Sequence, residues 1–241
     1  MRPGALSAQI RAETRMTLER GETLLVTLGI PVVLLVFFTI VPVVATGTKH
    51  RIEFLAPGIL ALAVMSTAMV SLGIATGFER SFGVLKRLGA TPLGRPSLLA
   101  AKIASVLAVE LVQVVILVGV SLGLGWRPHA ASGLAIAAVV LGTVGFAGVG
   151  LLMAGALRAE VTLAVANGLY VILLLLGGVV FPLSKLGGLA PFARVLPAAA
   201  LSDALHPLLG SGSGAPAEAW VVLAAWAVLA PVAAAATFRW E

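Results

Sequence analysis

The sequence predicts an all-α integral membrane protein. It has six transmembrane helices, an amino-terminal amphipathic interfacial helix, a short cytoplasmic helix between the second and third spans, and re-entrant outer helices before the last span. Three observations carry this reading. Of the 241 residues, 60% are hydrophobic and 11% charged, where ordinary soluble domains have about 45–50% and about 25%. The mean hydropathy of +1.10 shows that the excess is systematic, and so few polar groups cannot cover a soluble surface. Six mainly aliphatic runs, 23–44, 54–77, 100–124, 132–157, 161–180 and 217–238, are each long enough to cross the bilayer, whose hydrocarbon is about 30 Å thick and needs about 20 helical residues.

Residues 1–22 place charges ahead of the first run, whereas a secretory signal shows a short apolar stretch and a small-residue cleavage site. The first run therefore reads as a retained helix. Lys and Arg set the orientation, because they accumulate on the cytoplasmic side. One side carries Arg2, Arg11, Arg15, Arg20, Arg80, Lys86, Arg87, Arg95, Lys102, Arg158 and Arg239, eleven in all, and the other carries Lys49, Arg51, Arg127, Lys185 and Arg194, five in all. Both termini are thus expected in the cytoplasm of a multi-pass cell-membrane protein. Sixteen basic against ten acidic residues leave a net +6, a surplus suited to anionic lipid headgroups rather than nucleic acid. The chain has no cysteine, which excludes a disulfide framework, a thiol nucleophile and a thiolate metal site.

Nothing repeats at a fixed period, and 1–241 reads as one domain, with the Ser-Gly run 211–214 as an outer loop tip. Gly73 with Gly77 and Gly119 with Gly123 stand at four-residue spacing, which lets helix backbones approach closely. General packing within one bundle outweighs a dedicated dimer seam as the reading of this spacing.

The connection 78–92 is the most informative segment. At 100° per residue, Phe78, Phe82, Leu85 and Leu88 share one face and Glu79, Arg80, Lys86 and Arg87 the other, the pattern of a short amphipathic helix. Gly89 suits its end, and Thr91-Pro92 with Pro96 keeps it from running on into the third span. A passive helix on the headgroups and a partner-docking helix fit these charges equally well.

The run Phe78-Glu79-Arg80, Gly83-Val84-Leu85-Lys86-Arg87-Leu88 and Ala90-Thr91-Pro92-Leu93 resembles the cytoplasmic motif of permease subunits in the ABC-2 family of ATP-driven transporters, of the drug- or lipid-exporting type. Leu55-Ala56-Pro57-Gly58-Ile59 and Gly177-Gly178-Val179-Val180-Phe181-Pro182-Leu183 match further pieces in order. The resemblance implies a permease subunit in which 78–92 is the coupling helix, docking into a cleft on a separate ATPase subunit. Two such ATPases would hold the ATP and magnesium, with no cofactor in this chain. Two permease copies, or this chain and a paralogue, would enclose the pathway. Carried over to this sequence, Glu79, Arg80, Lys86 and Arg87 would face the ATPase, and Phe82, Leu85 and Leu88 would pack on the permease's own cytoplasmic side. Lys86 and Val84 stand where many relatives have an acidic residue and a threonine.

Residues 1–22 fit the same scheme. As a helix they place Leu6, Ile10, Thr14, Thr17, Gly21 and Leu24 in one stripe, with Arg11, Arg15, Glu19 and Glu22 opposite. The resemblance makes this a connecting helix along the inner surface that shares in the ATPase-facing platform, while the residues alone also suit a plain interfacial anchor.

Glu110 is the one acidic residue deep inside a run, with Gln113 three residues on. A carboxylate near the bilayer centre costs roughly 2.5–3.5 kcal/mol on insertion scales, so it must face protein or water. Either it lines a pathway for a cationic or hydrogen-bonding substrate, or it stays protonated and ties the third span to a neighbour. Asn167 in the fifth run is a weaker pathway candidate. The outer segment 182–216 is apolar but broken by prolines at 182, 191, 197, 207 and 216, so it suits short re-entrant helices surrounded by protein or water. Asp203 and His206 lie within it at i, i+3, too few for a metal site.

The chain has no Gly-Lys-Ser or Gly-Lys-Thr, hence no phosphate-cradling loop of its own; the Ser-Gly run 211–214 offers no Gly-x-Ser-x-Gly, and the three histidines all lie in outer connections, which gives an intramembrane hydrolase little support. Three functions remain: the permease half of an ATP-driven exporter of a hydrophobic small molecule or lipid, a non-transporting membrane scaffold or assembly factor, and a small proton-coupled carrier built on Glu110.

Overall fold

A computed structural model describes residues 3–19, 21–41, 51–89, 94–128, 133–179, 183–211 and 214–238. Several of the expected positions lie outside these residues: 1–2, 20, 42–44, 90–93, 132, 180–182, 212–213 and 239–241, together with Lys49 of the charge count. The described residues are helical, with no strand among them.

The chain opens with α1 (Pro3–Glu19) and α2 (Gly21–Ile40). Within α2, Thr27–Ile40 is apolar but shorter than a full span, about 21 Å of helix. Next come α3 (Arg51–Met65), a π-helical turn (Ser66–Ser71) and α4 (Leu72–Ser81), which form one continuous 31-residue crossing. A six-residue helix, α5 (Val84–Gly89), follows a tight turn and leads to α6 (Arg95–Gly123). Helices α7 (Gly133–Ala156) and α8 (Ala159–Leu176) are separated only by the turn at Leu157-Arg158. Then the chain breaks into a 3-10 stretch (Leu183–Leu189), α9 (Ala190–Arg194), α10 (Pro197–His206) and a second π turn (Pro207–Ser211), before α11 (Ala217–Thr237). Among the described residues, five helices are long and apolar enough to cross a membrane, Arg51–Ser81, Pro96–Gly123, Gly133–Ala156, Ala159–Leu176 and Ala217–Thr237. The broken segment matches its prolines: Pro191 and Pro197 each open a helix, where a missing N–H costs nothing.

Helix α7 is the axis of the bundle, and glycine is the reason. A Cβ on Gly148 would lie 2.5 Å from Pro231 N on α11, one on Gly150 would lie 2.6 Å from Met69 O on the π turn, and one on Gly142 would lie 3.0 Å from Leu201 on α10. In lipid no hydrophobic force draws helices together, so dispersion at close backbone approach must hold them. Of the spaced glycine pairs, Gly73 backs onto Gly150 and Gly77 onto Thr162, whereas Gly119 and Gly123 have nothing within 4 Å. The tightest helix pair, α7 with α11, lies along Gly145 and Gly148 rather than along either of those pairs.

One end of the bundle carries α1, the end of α4, α5, the start of α6 and the end of α7, and collects Arg80, Lys86, Arg87 and Lys102; it is called the basic end below. At the opposite end α10 wedges between α3, α7 and α11 with Ala198, Leu201, Ala204 and Leu205 buried.

Gly148→Ala should lower stability by about 1–3 kcal/mol, the usual cost of overpacking. Gly119→Ala, with open space around its position, should be neutral or slightly stabilising. Thermal unfolding in detergent, followed by tryptophan fluorescence, compares the two; equal effects would refute the packing assigned to α7.

Candidate functional site

The α4–α5 turn is built by local hydrogen bonds and one glycine. The Phe82 amide donates to Phe78 O at 3.0 Å, the Gly83 amide to Arg80 O at 3.0 Å, and the Arg87 amide back to Gly83 O at 3.3 Å. Gly83 has φ +71°, a left-handed conformation that costs a side-chain-bearing residue roughly 1–2 kcal/mol. The chain therefore bends at Phe82-Gly83 instead of continuing as a single helix from Phe78 to Leu88.

That bend corrects the expected faces. Leu85 is 0% exposed and Leu88 packs partly buried beside it, but Phe82 is 73% exposed. Phe82 precedes the glycine, so its ring follows α4 and stacks on Phe78 with centroids 6.1 Å apart, rather than joining the Leu85 face.

Glu79 and Arg80 also turn inward, against the expectation that both face outward to a partner. Arg80 donates from Nη1 to Gly155 O at 2.5 Å and from Nη2 to Leu157 O at 2.6 Å. Those carbonyls close the carboxyl-terminal end of α7, where orphan acceptors and the helix dipole favour a cation. Glu79 takes a hydrogen bond from Lys102 Nζ at 2.6 Å, and the same ammonium reaches Glu13 Oε2 on α1 at 3.2 Å. Of the four charges assigned to the outward face, Lys86 and Arg87 are exposed on α5.

Lys102, counted above only as an orienting charge, is 1% exposed. A signal for it existed: it sits inside the run 100–124, where a lysine survives only if it is paired. Glu13 is buried on the face of α1 that meets α6, so a charge helps hold the amino-terminal helix to the bundle.

Beside this turn a groove of about 810 Å3 runs between α2, the α3–α4 crossing and α8. Its walls include Ile30, Leu62, Val70 and Ile74, with hydroxyls from Ser66 and Ser71, and Phe78, Phe82 and Glu79 close its basic end. Asn167 lines it from α8, with Nδ2 donating to Leu163 O of its own helix at 2.8 Å.

Glu110 and Gln113 do not line this groove. Gln113, 1% exposed, accepts from Thr67 Oγ1 at 3.0 Å and donates from Nε2 to Thr27 O at 2.6 Å. It thus joins α6 to the π turn and to α2. Glu110, 2% exposed, accepts a hydrogen bond from the Thr143 hydroxyl on α7. Through these bonds both side chains tie α6 to neighbouring helices.

At the opposite end a cavity of about 1200 Å3 is bordered by Arg194, Asp203, His206 and Glu218. The His206 ring does not bond Asp203. Its Nδ1 faces Ser202 O at 2.9 Å and its Nε2 faces Phe54 O at 3.2 Å, so the ring fastens α10 to α3. Burial holds the imidazole below its ordinary pKa although these carbonyls pull it upward. Burial also raises the Asp203 carboxyl, against the nearby Arg194 charge and with that of Glu218.

Gln113→Leu removes two bonds between helices and should cost about 1–2 kcal/mol, whereas Asn167→Leu, whose amide bonds only its own helix, should leave the melting temperature nearly unchanged. Thermal unfolding of both variants in detergent is the check, and an equal drop would place Asn167 in the bundle's framework.

The sequence model of the ABC-2 type transporter family matches residues 5–207, a span covering the turn, the groove and α10. No curated protein matches the chain.

Proposed function

The chain belongs to the ABC-2 type transporter family, and from that premise we propose that it exports a hydrophobic small molecule or a lipid, driven by two copies of a separate ATPase. As an ABC-2 transporter permease it is a multi-pass membrane subunit without an ATP site of its own. The basic end faces the cytoplasm of the cell, by the excess of Lys and Arg there. Lys86 and Arg87 on α5 meet the ATPase, which supplies ATP and magnesium, and Leu85 and Leu88 seat α5 on the permease. A second copy, or a paralogue, covers the open side of the groove to complete a pathway.

The observation that carries this reading is the groove itself. Its volume of about 810 Å3 lies in the range of small-molecule sites, about 300–1,000 Å3. Its walls are aliphatic and aromatic with a few hydroxyl and amide groups, and its carboxylate, Glu79, is engaged by Lys102. Such a lining offers neutral, lipophilic molecules dispersion contacts and a few hydrogen bonds, and offers no unpaired charge to attract an ion. It ends at Phe78 and Phe82, next to α5, so motion imposed on α5 reaches the groove's mouth directly.

The test is coexpression with an ATPase encoded beside it, purification, and ATP hydrolysis in liposomes with and without a neutral lipophilic dye such as Nile red. Arg87→Glu should cut the copurified ATPase about tenfold, as a reversed interface charge does. Ala75→Trp, which fills the groove, should keep the ATPase bound while abolishing stimulation by the dye. Undiminished ATPase recovery with Arg87→Glu would remove α5 as the docking element.

A further inference from the structure

We infer that Lys102 is a positioning residue for energy coupling: its ammonium locks α1, the end of α4 and the start of α6 into one block that moves as a unit with α5. The inference rests on the exporter reading above and adds to it the part that carries the motion inward.

The geometry is a single cation between two carboxylates from different elements. Lys102 Nζ lies 2.6 Å from Glu79 Oε2 on α4 and 3.2 Å from Glu13 Oε2 on α1, with the lysine and Glu13 side chains almost wholly buried and Glu79 nearly so. Such a cluster resists piecemeal separation. If α1 slid away from α6, or α4 from α6, a buried carboxylate would be drawn off the ammonium in a medium that solvates charge poorly. Without the lysine, the two carboxylates would lose the cation they share.

Arg80, adjacent to Glu79, grips the end of α7 through two carbonyls. Glu79 also borders the groove, two turns of chain from Leu85, the buried anchor of α5. A push on α5 is therefore passed to α4 at the groove mouth and, through Lys102, to α1, instead of being spent in bending the chain between them. The charge pattern accounts for what apolar packing alone would not require: a lysine and two acids buried in a chain with 11% charged residues.

The native chain contains no cysteine, so paired spin labels report on it cleanly. Arg11→Cys on α1 and Ser81→Cys on α4 both place the label at exposed positions. Their separation is measured in the permease–ATPase complex in nanodiscs, nucleotide-free and trapped with ATP and vanadate. In the otherwise native chain the separation should be the same in both states. With Lys102→Met the distribution should broaden and shift on trapping, and dye-stimulated ATP hydrolysis should fall about tenfold, within the usual range of coupling between sites. Lys102→Arg should restore the single distance, which a loss of folding would not allow. Should Lys102→Met fail to assemble, Glu13→Gln, which keeps a hydrogen-bonding side chain but not the charge, is expected to show the same broadening.

A native separation that changes on trapping as much as in Lys102→Met, while the ATPase binds and turns over, overturns this inference and leaves the exporter reading standing. If no ATPase associates with the native chain at all, the exporter reading fails and takes the inference with it.

Discussion

Close backbone approach along α7 is the constraint on which the other features depend. Between lipid-immersed helices the gain comes from dispersion and a few hydrogen bonds, and both fall off steeply with separation. Five buried glycines, Gly142, Gly145, Gly148, Gly150 and Gly155, let α7 meet α10, α11 and the π turn at distances that a single methyl group would block or crowd. With α7 fixed, Thr143 is fixed opposite Glu110, and the carbonyls of Gly155 and Leu157 are fixed opposite Arg80. The groove wall inherits its position from the same contact, because the π turn that presents Ser66, Val70 and Ser71 to the groove rests its other side on Gly150.

The helical class and the membrane setting were legible because they rest on composition and run length, properties of one segment at a time. The α4–α5 turn was legible in part. Its apolar residues follow a helical period, but a period assumes unbroken helix, and Gly83 breaks it; hence Leu85 and Leu88 pack while Phe82 does not. Glu79 and Arg80 defeated the same logic from the other side. A charge at the edge of a span reads as facing water, and nothing local reveals that α6 brings a lysine, or that α7 ends in bare carbonyls, at that height. The groove was not legible at all, since it is bounded by three elements whose adjacency no single stretch encodes. Asn167 reached it through membership of α8, while Gln113 was placed by two partners distant in sequence.

Charge is distributed unequally by function as well as by end. Arg15 with Glu19 on α1 forms an exposed i, i+4 pair at 2.6 Å, of a kind worth little in water. Lys102 with its two acids lies where the same attraction is far less screened, and breaking it would strand a charge. Polar side chains inside the bundle follow the latter pattern: Gln113, Thr67 and Thr143 each answer a group on another helix.

The π turn at Ser66–Ser71 has a bearing on how such a bundle can change over time. A wide turn accommodates one residue more than the α-helical ladder requires, and everything beyond it is rotated by about 100° from where an unbroken helix would put it. The azimuth of Glu79 and Arg80, and with it their grip on α6 and α7, is therefore set some ten residues upstream. Loss of one codon in that stretch would leave the side chains of α4 chemically intact yet turn Glu79 and Arg80 away from α6 and α7. The length of this short passage, more than its composition, is what holds the lever in phase with the rest of the machine.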